Sequence, residues 1–192
     1  ERQKVAIDLE KLMEIDELFG IGMADEYKGV SFGLYAAHDI VALDGSVIPA
    51  DGLLEVVSIE PGEGEPGRYT AAFAADLPFA SFYVQERTSS KEYILSSQQY
   101  PVVFSYAGQD IALVSITAND GEAIENILLR GDIEGIKLGE DPDGGEPFGL
   151  GGAKLGLFHP DDEEMTEETA LLTTISADDG SFSFTGIPFG HW

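Results

Sequence analysis

The chain has 192 residues, with 10 Lys plus Arg against 36 Asp plus Glu, for a formal net charge of −26. So acidic a surface excludes nucleic acid and anionic membrane as partners, since both need basic patches, and its self-repulsion favours a monomer. Cysteine is absent, which removes disulfides, thiol catalysis and cysteine metal sites, while 43% hydrophobic residues are enough to bury the core of one large or two small domains.

The 23 Gly, 9 Pro, 7 Tyr and 11 Phe favour strands and turns over helices. No apolar run reaches the roughly 18 residues of a membrane span, so no membrane insertion is expected of this segment. A start at Glu1 without methionine is expected of a piece excised from a longer parent.

Residues 5–11 (VAIDLEK) alternate cleanly, with Val5, Ile7 and Leu9 on one face and Lys11 falling on that apolar parity. LMEIDELFGIG, which follows, reads as a loop or short helical turn. Strands are expected over 29–37, 53–59, 68–74, 81–86, 102–106 and 111–116, separated by turns at 43–46 (LDGS) and 50–52 (ADG) and a polar tip at 61–67 (PGEGEPG). Asn119-Asp120-Gly121 turns the chain into a last strand around Asn126, where Ile124, Asn126 and Leu128 share a parity. About seven short strands at this spacing predict an all-β sandwich.

The second part echoes the first. GVSFGLYAAHD (29–39) returns as GAKLGLFHPDD (152–162), and LPFASF (77–82) returns as IPFGHW (187–192). This predicts one complete domain over 1–131 and the N-terminal part of a second copy over 132–192, in which Lys137 stands where Lys11 does in the first. The second copy contains neither an equivalent acid nor an asparagine, so the partner of Lys137 is absent.

Three polar residues of the first domain sit on apolar faces: Lys11 after Val5, Ile7 and Leu9, Glu86 after Phe82 and Val84, and Asn126 between Ile124 and Leu128. Burying a lone charge or amide costs several kcal/mol, so three such groups are tolerable mainly if they meet. Burial lowers a lysine pKa and raises that of a glutamic acid. A neutral Lys11 amine is a nucleophile, and a protonated Glu86 donating to the Asn126 amide oxygen would polarise its carbonyl. Attack would then expel ammonia and leave an amide between the side chains, with Glu86 shuttling protons.

An early strand ending in Lys, FGLYAA, LPFASFYVQE and a terminal strand bearing Asn together resemble the Cna protein B-type, or SpaA-like, repeats of Gram-positive surface proteins and pilins. GAKLGLF and DDGSFSFTGIPFG continue the resemblance to the C-terminus. It implies a prealbumin-like (inverse immunoglobulin) β-sandwich and an intramolecular Lys–Asn isopeptide bond assisted by a buried acid, at Lys11, Asn126 and Glu86. Ala80 departs from the pattern, since these repeats usually have Gly there, and neither a sorting signal nor a pilin-lysine motif occurs in the chain.

The function expected is therefore a structural stalk or adhesin module, extracellular and wall-anchored through other parts of its parent, and not a turnover enzyme. Neighbouring repeats of the same parent are its expected partners, together with a host extracellular-matrix protein or glycan. The alternative is a module that binds host glycan or protein through loops 12–28 or 60–68 without any cross-link. No cofactor or metal is implied. The acidic stretches 140–146 (EDPDGGE) and 161–164 (DDEE) lack calcium-ligand spacing, and His38, His159 and His191 are scattered.

Overall fold

The computed structural model describes residues 3–41 and 44–192; Leu43, in the turn expected at 43–46, lies outside the described residues. In chain order the strands begin with β1 (Lys4–Met13), β2 (Ser31–Ala36), β3 (Ile40–Val41), β4 (Val47–Ile48), β5 (Leu53–Ser58) and β6 (Glu60–Pro61). They continue with β7 (Arg68–Phe73), β8 (Ala80–Thr88), β9 (Gln99–Phe104), β10 (Leu113–Thr117) and β11 (Ile124–Asn126). Then follow β12 (Arg130–Ile136), β13 (Leu138–Gly139), β14 (Phe148–Gly149), β15 (Lys154–Leu157), β16 (Leu172–Ile175) and β17 (Ser181–Pro188). Short 3-10 turns occur at Glu26–Gly29 and Asn119–Gly121.

The chain divides into two compact units, Glu1–Ile127 and Leu128–Trp192. In the first, one sheet runs β10-β1-β7-β6, and β11 joins the same edge of β1 beyond β10. Both β10 and β11 lie parallel to β1, whereas β7 is antiparallel to it. The second sheet runs β5-β2-β8-β9, antiparallel throughout.

Period-two alternation turns one face of each sheet inward. β7 and β9 both read exposed–buried along their whole length. Ile7, Leu9, Ala71 and Phe73 from the first sheet and Phe32, Leu34, Phe82, Val84, Val102 and Phe104 from the second are all buried. Pro101 sits in β9, a sheet edge, where its missing N–H costs no ladder bond. The Glu55 carboxylate on β5 accepts from the amides of Ala74 and Ala75, just past β7, tying the two sheets together at one end.

β1 is longer than expected. Leu12 and Met13 continue the strand, and Met13 is buried on the same parity as Ile7 and Leu9. The Asn119–Asp120 turn takes the left-handed conformation at both residues (φ 56 and 55), which short polar side chains tolerate.

The second unit contains three two-stranded sheets, β12–β17, β13–β14 and β15–β16, with Leu157, Phe184 and Ile187 buried.

Phe82, 1% exposed, fills the middle of the first unit's core. Phe82→Ala should lower that unit's stability by about 3–5 kcal/mol, read from its transition in chemical denaturation.

Candidate functional site

The register of β1 and β11 builds the site. Lys11 lies level with Ile124, and Met13 with Asn126, on parallel strands. Lys11 and Asn126 are thus diagonal neighbours whose side chains leave the same face of one sheet. Glu86 comes from the other sheet, on the inward parity of Phe82 and Val84, and is paired across β2–β8 with Phe32.

All three residues are buried: Lys11 is 0%, Glu86 4% and Asn126 2% exposed. The Asn126 amide nitrogen donates to Glu86 Oε1 at 2.6 Å and to Ser89 Oγ at 3.1 Å. The other carboxylate oxygen, Oε2, accepts from the Ser96 backbone N–H at 2.9 Å. Lys11 Nζ lies 4.0 Å from Glu86 Oε1 and 5.9 Å from the centre of the Phe32 ring. Among the described residues, neither Lys11 Nζ nor Asn126 Oδ1 has a hydrogen-bond partner.

One expectation is corrected. The amide nitrogen of Asn126, not its oxygen, faces Glu86. A carboxyl oxygen that accepts a hydrogen bond needs a donor opposite it, and in a carboxamide only the NH₂ end can donate.

Lys137 is placed differently from Lys11. β12 ends at Ile136, and Lys137 is exposed in the gap before β13, with its backbone N–H on Gly180 O. Three contributors to the site were not anticipated from sequence: Ser89, the Ser96 N–H and the Phe32 ring. Ser89 and Ser96 lie in the irregular 89–98 segment, where no periodicity marks which way a residue points, and Phe32 lies on the buried face of β2 among apolar neighbours.

Of the loops expected to bind ligand, 12–28 exposes Leu18 and Met23. Phe19 is buried and Tyr27 stacks on Tyr69 with ring centres 4.9 Å apart. Exposed Phe79 and Tyr106 lie outside these loops, Phe79 packing on the buried Phe104 at 4.7 Å and on Tyr106 at 6.3 Å. Among the described residues, no three His, Asp or Glu side chains are grouped to hold a metal ion.

Burial pushes the Lys11 amine down from 10.5 to about 8, against the opposing pull of Glu86 and then Glu125. In a chain where Lys11 stays a free amine, the unfolded state holds its proton between about 8 and 10.5 while the folded state releases it. Stability therefore rises with pH across that window. Asn126→Ala should gain a few kcal/mol between pH 8 and 10.5 relative to Asn126→Ala/Lys11→Met, whose remaining titrations cancel. Urea denaturation of both variants at the two pH values checks this; parallel curves would show that Lys11 is not desolvated.

No protein-family profile and no curated protein sequence matches the chain. Among solved structures, it is similar to the Bacillus anthracis TIE protein, with a TM-score of 0.58 at 15% identity, over 98% of this chain and 27% of that one. The chain thus spans about a quarter of that protein's length. It also aligns with the SpaE basal pilin of Lactobacillus rhamnosus GG (TM-score 0.34, 15% identity, 95% of this chain and 77% of that one). A streptococcal ancillary pilin aligns at a TM-score of 0.31 and 16% identity, over 96% of this chain and 51% of that one. In its fold the chain is thus an all-β protein whose first unit is a two-sheet sandwich, similar to part of the Bacillus anthracis TIE protein.

Proposed function

We propose that the chain is a load-bearing structural module of a Gram-positive surface protein or pilus, locked by an autocatalytic isopeptide bond between Lys11 and Asn126. The observation that carries this reading is the complete burial of an amine, an acid and a carboxamide in one cluster, with Lys11 Nζ and Asn126 Oδ1 both left without partners. As a set of static contacts the cluster is costly, because each orphaned polar atom forfeits its hydration. As a set of reactants it is well arranged.

Proton transfer from the ammonium of Lys11 to Glu86, 4.0 Å away, gives a neutral amine and a neutral acid, the pairing that desolvation favours. Nζ attacks Asn126 Cγ, forming the new C–N bond and placing negative charge on Oδ1. Glu86 already holds Nδ2 at 2.6 Å, so its proton passes to that nitrogen as the Cγ–Nδ2 bond breaks and ammonia departs. The carboxyl takes the proton left on Nζ and returns to the carboxylate only when the departing ammonia carries that proton away as ammonium. Each reactant is poor by itself; fixed contact supplies an effective concentration no solution reaches.

The product joins β1 to β11 and closes a loop of 126 − 11 = 115 residues. By analogy with a disulfide of that span, the chain-entropy gain is on the order of 4–5 kcal/mol. We further propose that 132–192 is the first part of a second such domain. Its β12–β17 pair would correspond to β1–β7, and its β15–β16 pair to β2–β5. Its lysine candidate, Lys137, stays uncross-linked within this chain. Partners on this reading are neighbouring repeats of the parent, with a host matrix protein or glycan at the distal end and wall anchoring through the rest of the parent.

Intact mass spectrometry of the denatured full chain should show a deficit of one ammonia. Glu86→Ala and Asn126→Ala should each have full sequence mass and unfold with about 4–5 kcal/mol less stability, beyond any packing loss. A wild-type chain at full sequence mass after prolonged folding would sink the proposal.

A further inference from the structure

Ser89 lies three residues beyond Glu86, past the end of β8, and reaches back over the site. Its Oγ accepts the second hydrogen of the Asn126 amide at 3.1 Å, while Glu86 Oε1 takes the first at 2.6 Å. Both hydrogens of Nδ2 are therefore committed, and together they fix the rotation of the carboxamide about its last single bond. The same segment is fastened at several points. The Ser96 N–H donates to Glu86 Oε2, the Ile94 N–H donates to Ile127 O, and the buried Tyr93 hydroxyl donates to Glu14 O. Glu14 N–H in turn donates to the backbone oxygen of Asn126. The 89–96 segment thus straps the ends of β1 and β11 together and delivers one hydroxyl to the reacting amide.

Building on the isopeptide reading above, we propose that Ser89 is a positioning residue for the cross-linking reaction: its hydroxyl holds the leaving nitrogen of Asn126 towards Glu86. With Nδ2 anchored at two points, Cγ keeps one orientation towards the incoming Lys11 amine, and the proton from Glu86 has one short path to the nitrogen that must depart as ammonia. Without the hydroxyl, a single contact to Glu86 remains. The amide then turns through orientations in which its oxygen meets the carboxylate and no proton is deliverable to nitrogen. Small misplacements of this kind slow enclosed reactions steeply, by up to about a hundredfold for roughly an ångström.

The test is a time course of bond formation in the full chain made by pulse-labelled cell-free synthesis. Samples quenched in denaturant are separated into cross-linked and linear forms by electrophoretic mobility and weighed by mass spectrometry. Ser89→Ala should close at least about tenfold more slowly than wild type, and Ser89→Thr, which restores the hydroxyl, within about threefold of it. Thermal midpoints of Lys11→Met and Lys11→Met/Ser89→Ala, neither able to cross-link, should agree within a few degrees, showing that the slow closure is not a folding defect. Closure of Ser89→Ala at the wild-type rate would overturn the assignment, and so would equal slowing of Ala and Thr. A wild-type chain that never closes refutes the cross-link itself, a result separable from both.

Discussion

An amine sealed from water is the constraint on which the first unit depends. Lys11 has no exposed surface, and its nearest counter-charge, on Glu86, belongs to the opposite sheet. Holding those atoms together demands correct register in three pairings at once: β1 with β11, β1 with β7, and β2 with β8. A one-residue slip in any strand would turn its polar residue outward and an apolar neighbour's place inward. The buried cluster therefore specifies the sandwich as much as the sandwich builds the cluster. A purely apolar core of the same volume would tolerate more ways of stacking the sheets.

The same geometry explains why these two strands are the ones worth joining. β1 and β11 are parallel neighbours, near the beginning and the end of the unit. A pull that enters at the start of β1 and leaves past Asn126 loads their hydrogen bonds in shear. The side-chain amide proposed between Lys11 and Asn126 would lie directly between those points. The nine intervening strands, β2 to β10, would then carry little of the load. With no cysteine available and a net charge of −26 working against compactness, a cross-link that needs no oxidant suits this chain.

Most of the sheet architecture was legible from alternation, because a half-buried strand writes its inward face into every second residue. Lys11, Glu86 and Asn126 were legible for the same reason: each stood on an apolar parity where a polar residue is out of place. Alternation also continued through Met13, two residues into the stretch expected to be a loop or helical turn. At Tyr100, Pro101 masked a strand start that the Tyr100, Val102 and Phe104 parity supports. The orientation of the Asn126 amide was not legible, since it depends on which atoms of Glu86 carry charge. Nor was Ser89, whose role depends on how an irregular segment folds back over the site.

Lys11 and Lys137 show where reading by analogy ends and physics decides. Each follows an apolar strand and precedes a Gly-Leu strand motif, and the sequence repeat aligns them. Yet Lys11 continues an inward parity, Ile7, Leu9, Lys11, Met13, whereas the apolar neighbours of Lys137 are the adjacent Ile136 and Leu138, on the opposite parity. β12 ends at Ile136, and Lys137 is exposed with its backbone N–H on Gly180 O. Leaving that ammonium in water avoids the desolvation that Lys11 meets on its inward parity, so strand parity, and not alignment in the repeat, decides which of the two lysines is buried.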